Sequence, residues 1–178
     1  NSRFSIAVTH LTFVVATLVA SIAQTATKVA TTNSITGIAV AEIITMLQDM
    51  GRRTYSFAAL DTLEFLRRSG RLTRLQASLG SVLQVKPLLK MHAGMVDMER
   101  VRTSKRAIER LIELVSELAP LEALAMVHTH ALQRSQVLYQ HAQHLFPDDT
   151  LPLSEEVTPV IGTHVGPGGV GLVCVTTR

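Results

Sequence analysis

Two strand-like runs, "VKPLLKMH" and "MVDMERVR", stand on either side of Ala93-Gly94. A two-residue turn makes its flanking strands pair antiparallel, because only a longer crossover brings a chain back parallel to itself. This hairpin argues against a purely doubly wound, parallel sheet. Around it the chain still alternates strand and helix. "SIAVT" (5–9), "TYSFAAL" (54–60), "LEALAMVHTH" (121–130) and "GVGLVCVTT" (169–177) read as strands.

Between them, apolar residues at 35, 38, 39, 43, 44, 47 and 50 have helical spacing, with Gly51 expected to close the helix. Asp61, with Glu64 three residues on, has the form of a capping box, and Gly70 stands at that helix's expected end. A short helix is expected over 73–83 and another over 132–146. Thr103 caps a third, whose apolar face is Ala107, Ile108, Leu111, Ile112, Leu114, Val115 and Leu118; Lys105, Arg106 and Arg110 form its solvated face. Pro120 and Pro147 fall where helices must stop. The expectation is a mixed α/β protein with a hinge at 49–54. It separates an N-terminal α/β domain (1–52) from a C-terminal α/β domain (53–178) with a mixed or antiparallel sheet and packed helices.

The interior of such a fold must be aliphatic. Hydrophobic residues make up 47% of the 178, aromatic residues only 4%, and there is no Trp. With 17% charged residues the chain is globular in composition, not disordered. Its net charge is +3 and its arginines are scattered, whereas a nucleic-acid module concentrates basic residues among aromatic platforms. The apolar stretch 11–23 has 13 residues, short of the ~20 that span a bilayer. Arg3 before it and "SIA" within it give it some features of a signal peptide. A core strand and helix is the reading taken, with no integral membrane segment. The single Cys174, in "LVCVTT", reads as a buried strand thiol and fits a reducing cytoplasm.

No phosphate-binding loop, nucleophile elbow or zinc-protease motif is present in the sequence. His141 and His144 share a helix face without an acidic or cysteine partner nearby, so no metal site is expected. His128 and His130 alternate at a strand end and are expected on one side of an edge strand. The segment "VIGTHVGPGGVG" differs from these. It places His164 and several glycines after Val160-Ile161, read as a strand exit, where bare backbone N–H groups and an imidazole can meet an anion. Arg71 follows one helix end and Arg102 precedes another helix, a position that suits a carboxylate or phosphate. Each has a plain reading as surface capping or a turn, and they become a site only if they converge.

"LDTLEFLRRSGRL", "QASLGSVLQVKPLL", "VRTSKRAIERLIELV" and "IGTHVGPGGVG" occur in that order and together resemble the DegV family of bacterial fatty-acid-binding proteins. The resemblance implies two α/β domains with a ligand tunnel between them, holding one long-chain acyl group with its carboxylate at the domain junction. It implies that the protein is not an enzyme, needs no cofactor, and presents the carboxyl group to a separate fatty acid kinase. By motif position His164 and Arg71 match residues near the ligand head, with Thr163 and Gly166 beside His164. Arg102 matches an arginine linked to work with the kinase.

The family's first strand is normally followed by an Asp-Ser step, where "SIAVT" leads into "HLTF". A Thr-Ser pair and an S-x-L-S-G-T block, which supply hydroxyls to the carboxylate, have no counterpart, and "SGR" replaces "GGR" at Ser69. "VATTNSITGIAV" matches a later family segment, so the N-terminal domain reads as about half its usual size. Two other classes stay open at this point. An autonomous hydrolase or acyltransferase using His164 as base needs a nucleophile that no motif displays. A ligand-free interaction or nucleic-acid-binding module needs no pocket.

Overall fold

A computed structural model describes residues 40–70, 85–147 and 152–178. The expected strand at 5–9, the apolar stretch 11–23 and the expected helix at 73–83 lie outside them. The chain divides into two compact units, Asn1–Thr54 and Tyr55–Arg178.

In the first unit, helix α1 spans Val40–Arg53. It does not stop at Gly51 as expected. A lone glycine costs a helix only ~1 kcal/mol, and the last turn has compensating bonds. Arg53 Nη2 donates to Asp49 Oδ2 at 2.8 Å, with the acid four residues on the N-terminal side, and Thr54 Oγ1 donates to the Met50 carbonyl at 2.6 Å. Helix therefore passes straight into strand at residues 49–54.

The second unit is built on a six-stranded sheet in the order β3-β2-β1-β6-β4-β5. The strands are β1 Thr54–Ala59, β2 Lys86–His92, β3 Met95–Val101, β4 Leu121–His128, β5 Leu153–Glu156 and β6 Val170–Thr176; the first residue of β1 belongs to the first unit. The hairpin is present: His92 faces Met95, and Ala93 and Gly94 both have positive φ (48° and 78°), as a type I′ turn demands. β1–β2, β2–β3 and β4–β6 are antiparallel, and β4–β5 is parallel. The sheet is mixed, as expected.

Among the described residues the unit also has helices α2 (Glu64–Arg68), α3 (Ser104–Ser116), α4 (Leu132–Ala142) and α5 (Pro159–Val165), and a 3₁₀ turn, Gln143–Leu145, ends α4. Thr103 caps α3 as expected, its Oγ1 accepting from the Arg106 amide at 3.1 Å. Ala107, Ile108, Leu111, Leu114 and Val115 of α3 pack with Leu138 of α4 onto Leu172 and Cys174 of β6, an aliphatic core with Phe57 as its one buried aromatic among the described residues. The face expected to be merely solvated is a lattice of ion pairs. Arg110 joins Glu99 at 2.9 Å and Glu113 at 3.0 Å, and Arg106 also reaches Glu113.

Several expectations are corrected. Asp61 does not cap α2, which starts after Leu63 with no side-chain cap; Thr62 Oγ1 accepts the Glu64 amide instead, and Asp61 is drawn off by Lys86 and Arg134. Gly70 does follow the helix end with φ 69°. β4 is an interior strand, and it ends at His128, which is buried, while His130 lies beyond it, exposed, with φ 49°. The two histidines therefore do not share an edge face. β5 has no alternation of apolar residues; "LSEE" is a strand because β4 offers it a free edge. Val160 and Ile161 belong to α5, whose start is marked by Pro159 at its first turn. The β-branched run "TPVIGT" mimics a strand, but the proline sets the helical φ.

Candidate functional site

Six chain segments meet at one end of the sheet. β1 leaves there through Leu60 and Asp61, and the Leu60 amide donates to the Pro87 carbonyl at the start of β2 (2.8 Å). Val101, at the end of β3, pairs with Lys86, so Arg102 stands at the same end. β4 exits through Thr129 and His130, and β6 enters from the glycine loop 166–169, His128 pairing with Val170. β5 ends there as well, with His128 facing Glu156.

The glycine loop is therefore the entrance to a strand, after a helix. The amide of Gly166 closes α5 on the Gly162 carbonyl (2.8 Å), that of Gly168 donates to the Thr129 carbonyl (2.7 Å), and that of Gly169 donates to Thr129 Oγ1 (2.7 Å). These amides are committed within the protein, so the glycines' contribution is chiefly steric. At Gly166, with φ 75°, a Cβ would overlap the Phe65 ring. At Gly171 it would stand 2.5 Å from the Phe57 carbonyl. Leu60, Leu66, Leu89 and Met98 form a second apolar cluster, against which Val165 packs. Helix α2 and the "THVGPGG" loop, about a hundred residues apart in sequence, are thus held against each other through Phe65.

His164 lies in the last turn of α5, half-buried, with Nδ1 shielded from solvent. Thr163 is exposed, its hydroxyl donating to the Val160 carbonyl at 2.8 Å. Thr163, Gly166, Thr129, His130 and Glu156 line an open cleft of about 680 Å³. Arg102 is exposed just before the α3 cap. Arg71 lies outside the described residues, immediately after Gly70. The arginines before it are occupied: Arg67 and Arg68 both bind Glu64 at 2.7 Å, and their hydrogen bonds pull its carboxyl down to about 2. Asp61 is held below the usual carboxylate range, first by its hydrogen bond from Lys86 and further by the charges of Lys86 and Arg134. Among the described residues no group of three or more His, Cys, Asp or Glu side chains is placed to hold a metal ion. No helix among them is long and apolar enough to cross a membrane.

Sequence reading overlooked Thr129, Asp61 and Arg134 at this sheet end. Thr129 lies in the "HTH" run at the strand end, a local signal that could have found it. Arg134 has none, since its partners are 34 and 73 residues away.

The family model described as "Uncharacterised protein, DegV family" matches residues 9–177, nearly the whole chain. The chain belongs to the DegV family. A DegV domain-containing protein of Streptomyces coelicolor is 37% identical over 141 residues, covering 77% of this chain and 50% of that protein. Among solved structures, a fatty acid binding DegV family protein from Streptococcus agalactiae matches with TM-score 0.67 at 30% identity, over 80% of this chain and 51% of that one. DegV from Bacillus subtilis, described as a fatty acid binding protein, matches with TM-score 0.62, also at 30% identity, over 78% of this chain and 50% of that one. The chain spans about half the length of the DegV relatives it matches. The mixed sheet with packed helices is thus a DegV fold.

Proposed function

We propose that this chain binds one long-chain fatty acid, with the carboxylate at the sheet end that carries α5 and the glycine loop. His164 and Arg71 supply charged or polar donors to the head, and the Thr163 hydroxyl turns from Val160 to join them. Gly166 keeps the backbone free of a side chain beside the Phe65 ring. The acyl tail lies in the apolar tunnel that the family resemblance implies. Burial of each methylene is worth ~0.8 kcal/mol, so a 16-carbon chain gains roughly 10 kcal/mol before ordering costs. One anion then needs few donors.

The observation that carries this reading is that DegV structures 30% identical to this chain, matching about four-fifths of it, are described as fatty acid binding proteins. In this reading the chain is a lipid carrier of the cytoplasm, not an enzyme, and needs no metal or cofactor. It presents the carboxyl group to a partner fatty acid kinase, and Arg102, exposed at the same sheet end, serves that encounter. Mass spectrometry of freshly purified protein tests the central claim. Denatured protein should release a long-chain fatty acid, and native spectra should show the matching added mass. Protein that is empty and takes up neither palmitate nor oleate overturns it. Incubation with ATP, Mg²⁺ and fatty acid should yield acyl phosphate only once a kinase is added; turnover by the chain alone would revive the enzyme class.

A further inference from the structure

Arg134, in the first turn of α4, reaches two partners far away in the chain. Its Nη1 donates to the Gly168 carbonyl and lies 3.3 Å from Asp61 Oδ1. Asp61 is anchored in turn by Lys86, whose Nζ stands 2.7 Å from the same oxygen. Gly168 has φ 84°, and a Cβ there would come within 3.3 Å of the Asp61 side chain, so loop and carboxylate are closely fitted. Thr129 grips the loop from the end of β4: its amide donates to the Gly169 carbonyl at 2.9 Å, and its hydroxyl accepts the Gly169 amide. His164 lies two residues before this loop. Its helix has only seven residues, too few to be stable alone, so its orientation is set by what anchors its ends.

We infer that Arg134, held by Asp61, is a positioning residue: it locks the 166–169 loop and so orients His164 toward an anionic head group, without itself touching the ligand. This deepens the fatty-acid reading and rests on it. Asp61 stays ionised through the neutral range because Lys86 and Arg134 hold its carboxyl down, so the clasp is intact where the protein works. Positioning and simple electrostatics predict opposite signs for one substitution. Asp61→Asn removes a negative charge and frees two cations, which through the field alone would tighten anion binding. If Asp61 acts by holding Arg134, the same change loosens the loop and weakens binding.

The test compares oleate with oleyl alcohol, the same tail under a neutral head, on wild type, Arg134→Gln and Asp61→Asn, each with unchanged circular dichroism. NMR follows the His164 ring and the Gly169 amide in ligand-free protein. Both variants should bind oleate about ten-fold more weakly, the worth of roughly one weakened charge-assisted hydrogen bond to the head group, and bind oleyl alcohol as wild type does. Both resonances should move before any ligand is added. Unchanged or tighter oleate binding by Asp61→Asn overturns the inference, and so does equal weakening for both ligands. If wild-type protein binds neither probe, the fatty-acid reading fails by itself. The NMR shifts then decide the clasp: moved resonances support it and unmoved ones refute it.

Discussion

Gly166→Ala isolates the contact that joins the two halves of the site. At φ 75° and ψ 171° Gly166 lies in a region essentially reserved for glycine, where an L-residue costs ~1–3 kcal/mol. The new methyl would overlap three ring atoms of Phe65, including Cγ at the root of the ring, so the whole side chain has to move. Forcing an extra methyl into a packed contact costs ~1–3 kcal/mol. The sum is about 2–6 kcal/mol, a large share of the ~5–15 kcal/mol that holds a domain together. Two other glycines calibrate it. Gly70 has φ 69°, but a methyl group there would have nothing within 4 Å, so Gly70→Ala should show the backbone cost alone, ~1–2 kcal/mol. Gly162 lies within α5, also with open space around it, and Gly162→Ala should stabilise by ~0.5–1 kcal/mol. Urea unfolding reads all three. With a slope near ~2 kcal/mol per molar, a loss of ~3 kcal/mol lowers the midpoint by about 1.5 M. Adding Phe65→Leu to Gly166→Ala should restore part of the loss. Equal midpoints for Gly166→Ala and Gly70→Ala, or no restoration in the double variant, would mean that the ring contact contributes nothing. Fatty-acid affinity should fall with Gly166→Ala and stay unchanged with Gly70→Ala.

His164→Ala and Arg71→Ala should each weaken fatty-acid binding about ten- to a hundred-fold, the worth of a charge-assisted hydrogen bond. Arg102→Ala should leave binding intact and lower acyl-phosphate yield with the kinase; loss of lipid binding in Arg102→Ala with none in His164→Ala would reverse the assignment. Cys174 is wholly buried and its thiol is pushed up to about 12 by that burial, so native protein should not react with a disulfide reagent at about pH 8, whereas protein in denaturant should titrate one thiol. Glu64 should titrate near about 2 by carbon NMR. Because its folded value is depressed, the stability from its pairs with Arg67 and Arg68 is complete above the ordinary 4.5 and is lost as pH falls through about 2; a midpoint difference between wild type and Glu64→Gln that persists in stronger acid would contradict this.

Much of the fold was legible because its signals are local. The Ala93-Gly94 turn, the Thr103 cap, the Gly70 end and the apolar face of α3 each depend on residues within one or two turns of one another. The site was only partly legible. Motif position singled out His164 and Gly166, yet the glycines looked like donors for an anion when their amides are used inside the protein. Nothing near Gly166 in sequence reveals that Phe65 is its neighbour.

Local rules also failed where distant groups outbid them. Asp61 and Glu64 have the spacing of a capping box, but Asp61 is claimed by Lys86 and Arg134, 25 and 73 residues away. "LSEE" carries no strand pattern and becomes β5 because β4 has unpaired backbone groups to satisfy. Turn chemistry, helix capping and the aliphatic character of the interior belong to the sequence, since short-range sterics and hydrogen bonds determine them wherever the segment ends up. The partner of each charge, the neighbour of each glycine and the meeting of residues 65, 134 and 164 at one sheet end belong to the tertiary structure, because those energies exist only once the core has brought the segments into contact.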